Sequence, residues 1–449
     1  MRFAGAAGIP ARLLACAPFL VAAASGQAAE RGFEVSAGAA HSDNIGRTSV
    51  NAQSETVATA GIDFFVQQRT SRLSLDASGN VSYLNYLDNT YSNEVVGSVM
   101  GDARFQLVPD HLTWVAQDNF GQTSIDPLAA VTPDNRQNVN YFSTGPDVSF
   151  GIASDTRMLL SGRYAKVSYE DSPFDSNRYT GLVGVVHDLS ASSRISLNAQ
   201  RERVNFSDDI LNQDYDRDQL YGRYEAHGGR TRLGLDLGYS RLKRLNDSPS
   251  GLLARLEISR QVSAASVVTI SGGREFSDSG ESFRLGQTLE GGNLGTLSGN
   301  QTGSPFRHTY ETISWNFQRN RTGLNFSLQR YDEKFVQAAL FDRVRTLVDG
   351  FFTRTLTPTL TAELGGTYAK ENYDAFAGDY RESGARVGLT QRFGRRLSVN
   401  ARYEWYKRSS DLPNGDYTEN RVWLTFSYGE LTHRSPITLD QRLPSDVRL

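Results

Sequence analysis

From residue 397 the chain alternates. Leu397, Val399, Ala401, Tyr403 and Trp405 fall on one side, and Ser398, Asn400, Arg402, Glu404 and Tyr406 on the other. A period of two is that of a strand, here with one apolar and one polar face. The pattern recurs along the chain. In "RLSLDASGNVSYLNY" (72–86), Leu73, Leu75, Ala77, Val81 and Tyr83 oppose Ser74, Asp76, Ser78, Asn80 and Ser82. In "TRLGLDLGYSRL" (231–242), Leu233, Leu235, Leu237 and Tyr239 oppose Arg232, Gly234, Asp236 and Ser240. About 20 such segments can be traced, most of roughly 9–14 residues, the length of a tilted membrane-crossing strand. The pattern weakens near 138–150 and 335–355. Helical periodicity is not evident in any segment.

The connections alternate as well. "VPDH" (108–111), "AHGGR" (226–230), "NRTG" (320–323) and "FGRR" (393–396) carry the glycine, proline and aspartate chemistry of hairpin turns. Between them come longer, polar stretches at 41–55, 124–137, 207–216 and 409–417, and the longest at 278–305. Short turns on one rim and long loops on the other characterise outer-membrane barrels. The predicted fold is all-β: a transmembrane antiparallel up-and-down β-barrel of about 18–20 strands. The alternative is a secreted soluble sandwich, propeller or β-helix. Charges on the polar side of nearly every strand suit a wide, wet lumen better. Aromatic residues near the long loops (Tyr83 and Tyr86, Tyr164 and Tyr169, Tyr368 and Tyr373, Tyr403 and Trp405) read as a headgroup-level girdle.

Composition adds three constraints. Residues 1–29 hold Arg2 and Arg12, an apolar run and small residues near Ala28, and read as a signal peptide. The barrel is expected over 30–428, followed by a polar periplasmic tail at 429–449. Cys16, the only cysteine, lies in the leader, so the mature chain is expected to have no disulfide or thiolate metal site. A net charge of −3 and the lack of a polybasic tract give no sign of nucleic acid as a partner. A mean hydropathy of −0.44 is too polar for a helical membrane protein.

The inward face is predicted to include Asp76, Asp102, Arg104, Arg232, Asp236, Arg255, Glu257, Glu363, Arg386, Arg402 and Glu404. Both signs are interspersed, so strong selectivity for anions or cations is not implied. Tyr221, Tyr310, Tyr406 and Trp423 share that phase. Rings beside hydrogen-bonding charges are candidates for stacking on sugars; packing against the barrel wall is the alternative. A barrel this wide needs narrowing, and the 278–305 connection, with Phe283, Arg284 and Glu290, is the candidate gate. An external loop is the alternative. No hydrolase elbow, metalloprotease helix or phosphate loop is present, and the expectation is not an enzyme, with no cofactor and no metal. The neighbours His41, Ser42 and Asp43 are triad residue types that a strand would point in opposite directions. The acidic stretch 207–218 is read as a solvated loop, with a divalent cation as the alternative.

The opening "GFEVSAGAAHSDNIGR" (32–47), a first strand running into Ser42-Asp43-Asn44-Ile45, resembles the start of the putative β-barrel porin 2 family, outer-membrane barrels associated with exopolysaccharide export. The resemblance in layout covers the whole mature chain. It implies an outer-membrane pore in a Gram-negative cell, a conduit for a secreted exopolysaccharide. The alternatives are a porin for small solutes and a barrel enzyme. The partners it implies are outer-membrane lipid and lipopolysaccharide, a polysaccharide or small solute, and periplasmic polysaccharide-export components.

Overall fold

The computed structural model describes residues 29–208, 212–289 and 302–430. They form one 20-stranded antiparallel sheet. The first ten strands are β1 (Ala29–Ser42), β2 (Glu55–Arg69), β3 (Leu73–Tyr86), β4 (Glu94–Val108), β5 (Leu112–Ser124), β6 (Arg136–Ala153), β7 (Thr156–Tyr169), β8 (Ser176–Ser190), β9 (Ser193–Phe206) and β10 (Tyr215–His227). The second ten are β11 (Thr231–Lys243), β12 (Ser250–Ser263), β13 (Ser266–Ser277), β14 (Phe306–Arg319), β15 (Thr322–Phe335), β16 (Arg343–Thr355), β17 (Leu360–Tyr373), β18 (Tyr380–Phe393), β19 (Leu397–Ser410) and β20 (Tyr417–Glu430). Each strand pairs with its successor. β1 pairs with β20 from Phe33↔Glu430 to Ser42↔Arg421, which closes the ring and leaves no free edge.

That seam is clasped at its long-loop end. Ser42 donates to Glu419 (2.6 Å), Asn44 donates to the Thr418 carbonyl (3.0 Å), and Asp43 accepts the Asn420 backbone and side-chain amides (2.8 and 2.6 Å). His41 instead bonds Thr56, so the His-Ser-Asp neighbours diverge as a strand requires and form no triad.

Alternation decides the two faces. On β9, Ile195, Leu197 and Ala199 point outward, with Leu197 62% exposed, while Asn198, Glu202 and Val204 are buried inside. On β20, Val422, Leu424, Phe426 and Tyr428 point outward. The outward apolar band and the polar interior are those of a membrane barrel. No helix among the described residues is long and apolar enough to cross a membrane.

The girdle is half of what the sequence suggested. Tyr83, Tyr368 and Tyr403 are exposed on the outer face, but Tyr86, Tyr169 and Tyr373 are buried. The members of those pairs are an odd number of residues apart, so a strand must place them on opposite faces. The weak segment at 138–150 is β6, where Pro146 supplies no amide. The β6–β7 ladder passes from Thr144↔Tyr164 to Asp147↔Ser161.

Short turns, the start of β1 and the end of β20 share one rim, where the four register shifts also lie: Gln106/Val108, Gly151/Ala153, Asp188/Ser190 and Gln261/Ser263. Long loops share the other. An epitope inserted beside Pro413 should label on intact cells and one beside Arg395 should not. The reverse result would invert the barrel in the membrane.

Candidate functional site

All eleven charged residues read from the sequence occupy inward positions of the register. Five of them form ion pairs there. Asp76 sits 2.5 Å from Arg69 and accepts Gln67; Asp102 lies opposite it, and Arg104 opposite Ser74. Asp236 receives Arg223 through two bonds of 2.6 and 2.8 Å, and Arg255 lies 3.3 Å away. Arg255 also reaches Glu275 at 2.5 Å. Arg232 and Glu257 flank this group on β11 and β12. Glu363 lies over Gly388, where a Cβ would come within 2.6 Å of its Oε1. Arg386 covers the Phe351 ring at 4.2 Å, and Arg402 pairs with Glu404 at 3.0 Å. Part of the interspersed charge thus becomes paired charge, which a list of residues cannot reveal.

The four inward rings are held by cations or by other rings. Tyr221 lies near Arg223 and Arg255 (5.9 and 5.8 Å), and Tyr406 near Arg47 (4.9 Å). Both rings are buried. Trp423 lies between Arg402 and Arg421 (5.1 and 5.8 Å), and its indole N–H donates to Glu404 at 2.9 Å. Tyr310 lies over Gly273, where any Cβ would meet the ring at 2.7 Å, and against His308. Only Tyr310 and Trp423 are half-exposed.

The outer end of the lumen is narrowed by chain that turns inward. β13 parts from β12 after Ala254↔Arg274, and its last residues lead into helix α1 (Ser279–Leu289). A helix here differs from the sequence reading. The segment is too short for its periodicity to stand out, and contact with the wall stabilises it. Asp278 accepts both guanidinium nitrogens of Arg178 on β8 (2.8 and 2.7 Å) and the Tyr215 hydroxyl. Gly280 permits the approach, since a Cβ would lie 2.7 Å from the Arg178 guanidinium. Phe283 packs on Val139, Tyr141 and Val167, on the inner face of β6 and β7. Arg284 bonds Glu281 at 2.6 Å and lies 5.8 Å from the Tyr141 ring. Glu290, the third residue assigned to the gate, lies outside the described residues.

A second inward loop was missed by the sequence reading, which took 278–305 alone as the candidate gate. The β5–β6 loop (125–135) is stapled internally by Asn135, which donates to the Asp126 and Ala130 carbonyls (2.8 and 3.0 Å). From β19, Arg408 donates to the carbonyls of Leu128 and Ala129 (2.5 and 2.9 Å). Asp126 and Asn135, both turn formers that can bond their own loop, were the available signal. The acidic 207–218 stretch is partly strand. Asp216 and Asp218 face outward beside Arg201 and Lys243, and residues 209–211 lie outside the described set. No group of three potential metal ligands occurs among the described residues.

The α1 anchor should withstand acid. Burial pushes the Asp278 carboxyl up, but Arg178 and the hydrogen bonds to it outweigh burial and hold it well below the usual range. Burial likewise raises Glu281, and Arg284 brings it down to about 2. A carboxylate with a depressed folded value contributes stability above its unfolded value of about 4, and loses it only as pH falls toward the folded one. Single-channel conductance should therefore stay flat from neutral pH to about 4 and change only below that. Opening at pH 5–6 would show that another group holds the helix.

Residues 311–428, from within β14 to near the end of β20, match the family described as Putative beta-barrel porin 2. This bears out the resemblance, although on the last strands and not on Ser42–Ile45. No curated protein matches the chain. Similar solved structures include a variant of the ferric enterobactin receptor (PfeA) from Pseudomonas aeruginosa. It is 9% identical, with 89% of this chain and 80% of that chain covered and a TM-score of 0.47. The OccK2 (OpdF) structure from the same organism is 12% identical, covering 89% and 98%, with a TM-score of 0.36. The OccAB4 structure from Acinetobacter baumannii is 10% identical, covering 90% and 99%, with a TM-score of 0.35. A closed antiparallel ring carrying the porin match is an outer-membrane, porin-like barrel.

Proposed function

We propose that the chain is an outer-membrane conduit for a secreted polysaccharide, with an outer mouth narrowed by α1 and the 125–135 loop. The observation that carries this reading is the partly compensated inward face. With part of the charge matched by neighbours, what a passing molecule meets includes hydroxyls and amides, such as Ser78, Asn80 and Ser82 on β3, and the half-exposed rings of Tyr310 and Trp423. Such a lining favours an uncharged, polyhydroxylated chain, whose C–H faces lie on rings and whose hydroxyls find donors and acceptors. The rim of short turns, where β20 ends, is where periplasmic export components would meet it.

Planar-bilayer recording tests the proposal. Neutral oligosaccharides added on the short-turn side should produce transient blockades that lengthen with chain length, and Trp423→Ala should shorten them by about tenfold, the order of a lost ring contact. Small charged solutes passing freely, with no blockade by oligosaccharides even after deletion of residues 286–304, would instead make the chain a small-solute porin.

A further inference from the structure

The outer face carries a cationic site that the channel reading does not use. On β17, β18 and β19 the outward positions nearest the long-loop rim include Lys370, Arg381 and Lys407. The register sets Lys370 directly opposite Arg381 and brings Lys407 opposite Ser383, two positions along β18. Like charges placed directly across a strand pair repel and cost stability, so the arrangement needs a counter-charge. Three other outward cations near this rim have one within the chain: Arg201 has Asp216, Lys243 has Asp218 and Lys334 has Asp374. Lys370, Arg381 and Lys407 form no ion pair among the described residues, and the outward neighbours that the register gives them are Thr346, Ser383, Ser409 and Thr418.

Their height is as specific as their charge. From Leu360 to Lys370, strand rising about 3.3 Å per residue and tilted about 40° climbs roughly 25 Å, the height of the apolar band. The outward residues just below are Tyr368, Tyr403 and Trp405, rings that belong at the edge of the hydrocarbon. The three cations therefore stand just above the acyl chains on the rim of long, extracellular loops. Anions fixed at that level are the phosphates of a lipid headgroup. Guanidinium and ammonium groups on adjacent strands can share them through charge-assisted hydrogen bonds.

We propose that Lys370, Arg381 and Lys407 form a binding site for the phosphorylated glycolipid of the outer leaflet, its phosphates between the cations and its acyl chains on the rings below. The full-length protein in phosphatidylcholine nanodiscs is titrated with lipid A carrying two phosphates, with bound lipid read by native mass spectrometry. Combined Lys370→Gln, Arg381→Gln and Lys407→Gln should weaken binding by about tenfold or more, as should removal of both phosphates from the lipid. Arg354→Gln, on the opposite rim, should leave it unchanged. Inorganic phosphate should not displace the lipid. If the triple variant fails to fold, Arg381→Gln alone should still weaken binding severalfold. Undiminished binding by the folded variants, equal binding of the phosphate-free lipid, or displacement by inorganic phosphate would each overturn the proposal.

Discussion

Replacing Arg178 by methionine should raise single-channel conductance severalfold while the barrel stays closed as a ring. Arg178 is 2% exposed and meets Asp278 through two bonds. Removing one partner of such a buried pair leaves the other charge uncompensated, at a cost of about 3–5 kcal/mol. The ladders of β8 with β7 and β9 do not depend on this side chain. The cost therefore falls on the docking of α1, whose remaining hold is the Tyr215 hydroxyl on Asp278, Phe283 and the Arg284–Tyr141 contact. Undocking returns Asp278 to water and widens the mouth. Adding Asp278→Leu to Arg178→Met should restore the low conductance, because an apolar pair can replace a buried ion pair at little cost. A single variant that conducts as the parent does would show that α1 is not what narrows the lumen.

The second large effect separates the two faces of one strand. Leu235 points outward between Tyr224 and Leu256, in the middle of β11. Leu235→Arg should destabilise the barrel by about 2–4 kcal/mol, the cost of arginine on the lipid side near the midplane. Gly234 points inward with open space around the position of its missing Cβ, and its cross-strand neighbours are Glu225 and Glu257. Gly234→Arg should fold normally and shift selectivity toward anions. Denaturant titration in lipid vesicles gives the stabilities, and reversal potentials give the selectivity. Equal destabilisation by the two arginines would refute the assignment of faces.

The adjacent positions also mark what could be read without coordinates. Strand count and the phase of each charge follow from a period of two, and the two rims from the length of each connection; both signals are local and survive tertiary context. What escaped depends on contacts between distant segments. Arg408 is legible as inward, but its bond to the 125–135 loop joins strands six or more places apart around the ring. Asp278 reads as a loop aspartate until the fold sets Arg178 beside it. Tyr86 and Tyr169 were misplaced for a simpler reason: they were grouped by nearness to the loops, without counting parity. Pro146 blurred β6 because a residue that cannot donate sits in the middle of a central strand. Helix α1 was invisible because its periodicity covers only 11 residues and its apolar face is chiefly Phe283.

The seam has a bearing on biogenesis. The hydrogen bond from Ser42 to Glu419 joins residues 377 apart in the chain, so the first strand made waits for the last. Until then the growing sheet has two bare edges, each able to pair with another chain. Contacts of such sequence separation form slowly. The clasp of Ser42, Asp43 and Asn44 therefore acts as a check on completeness: a chain shortened before Thr418 keeps most of its hairpins but presents its first strand to whatever edge it meets.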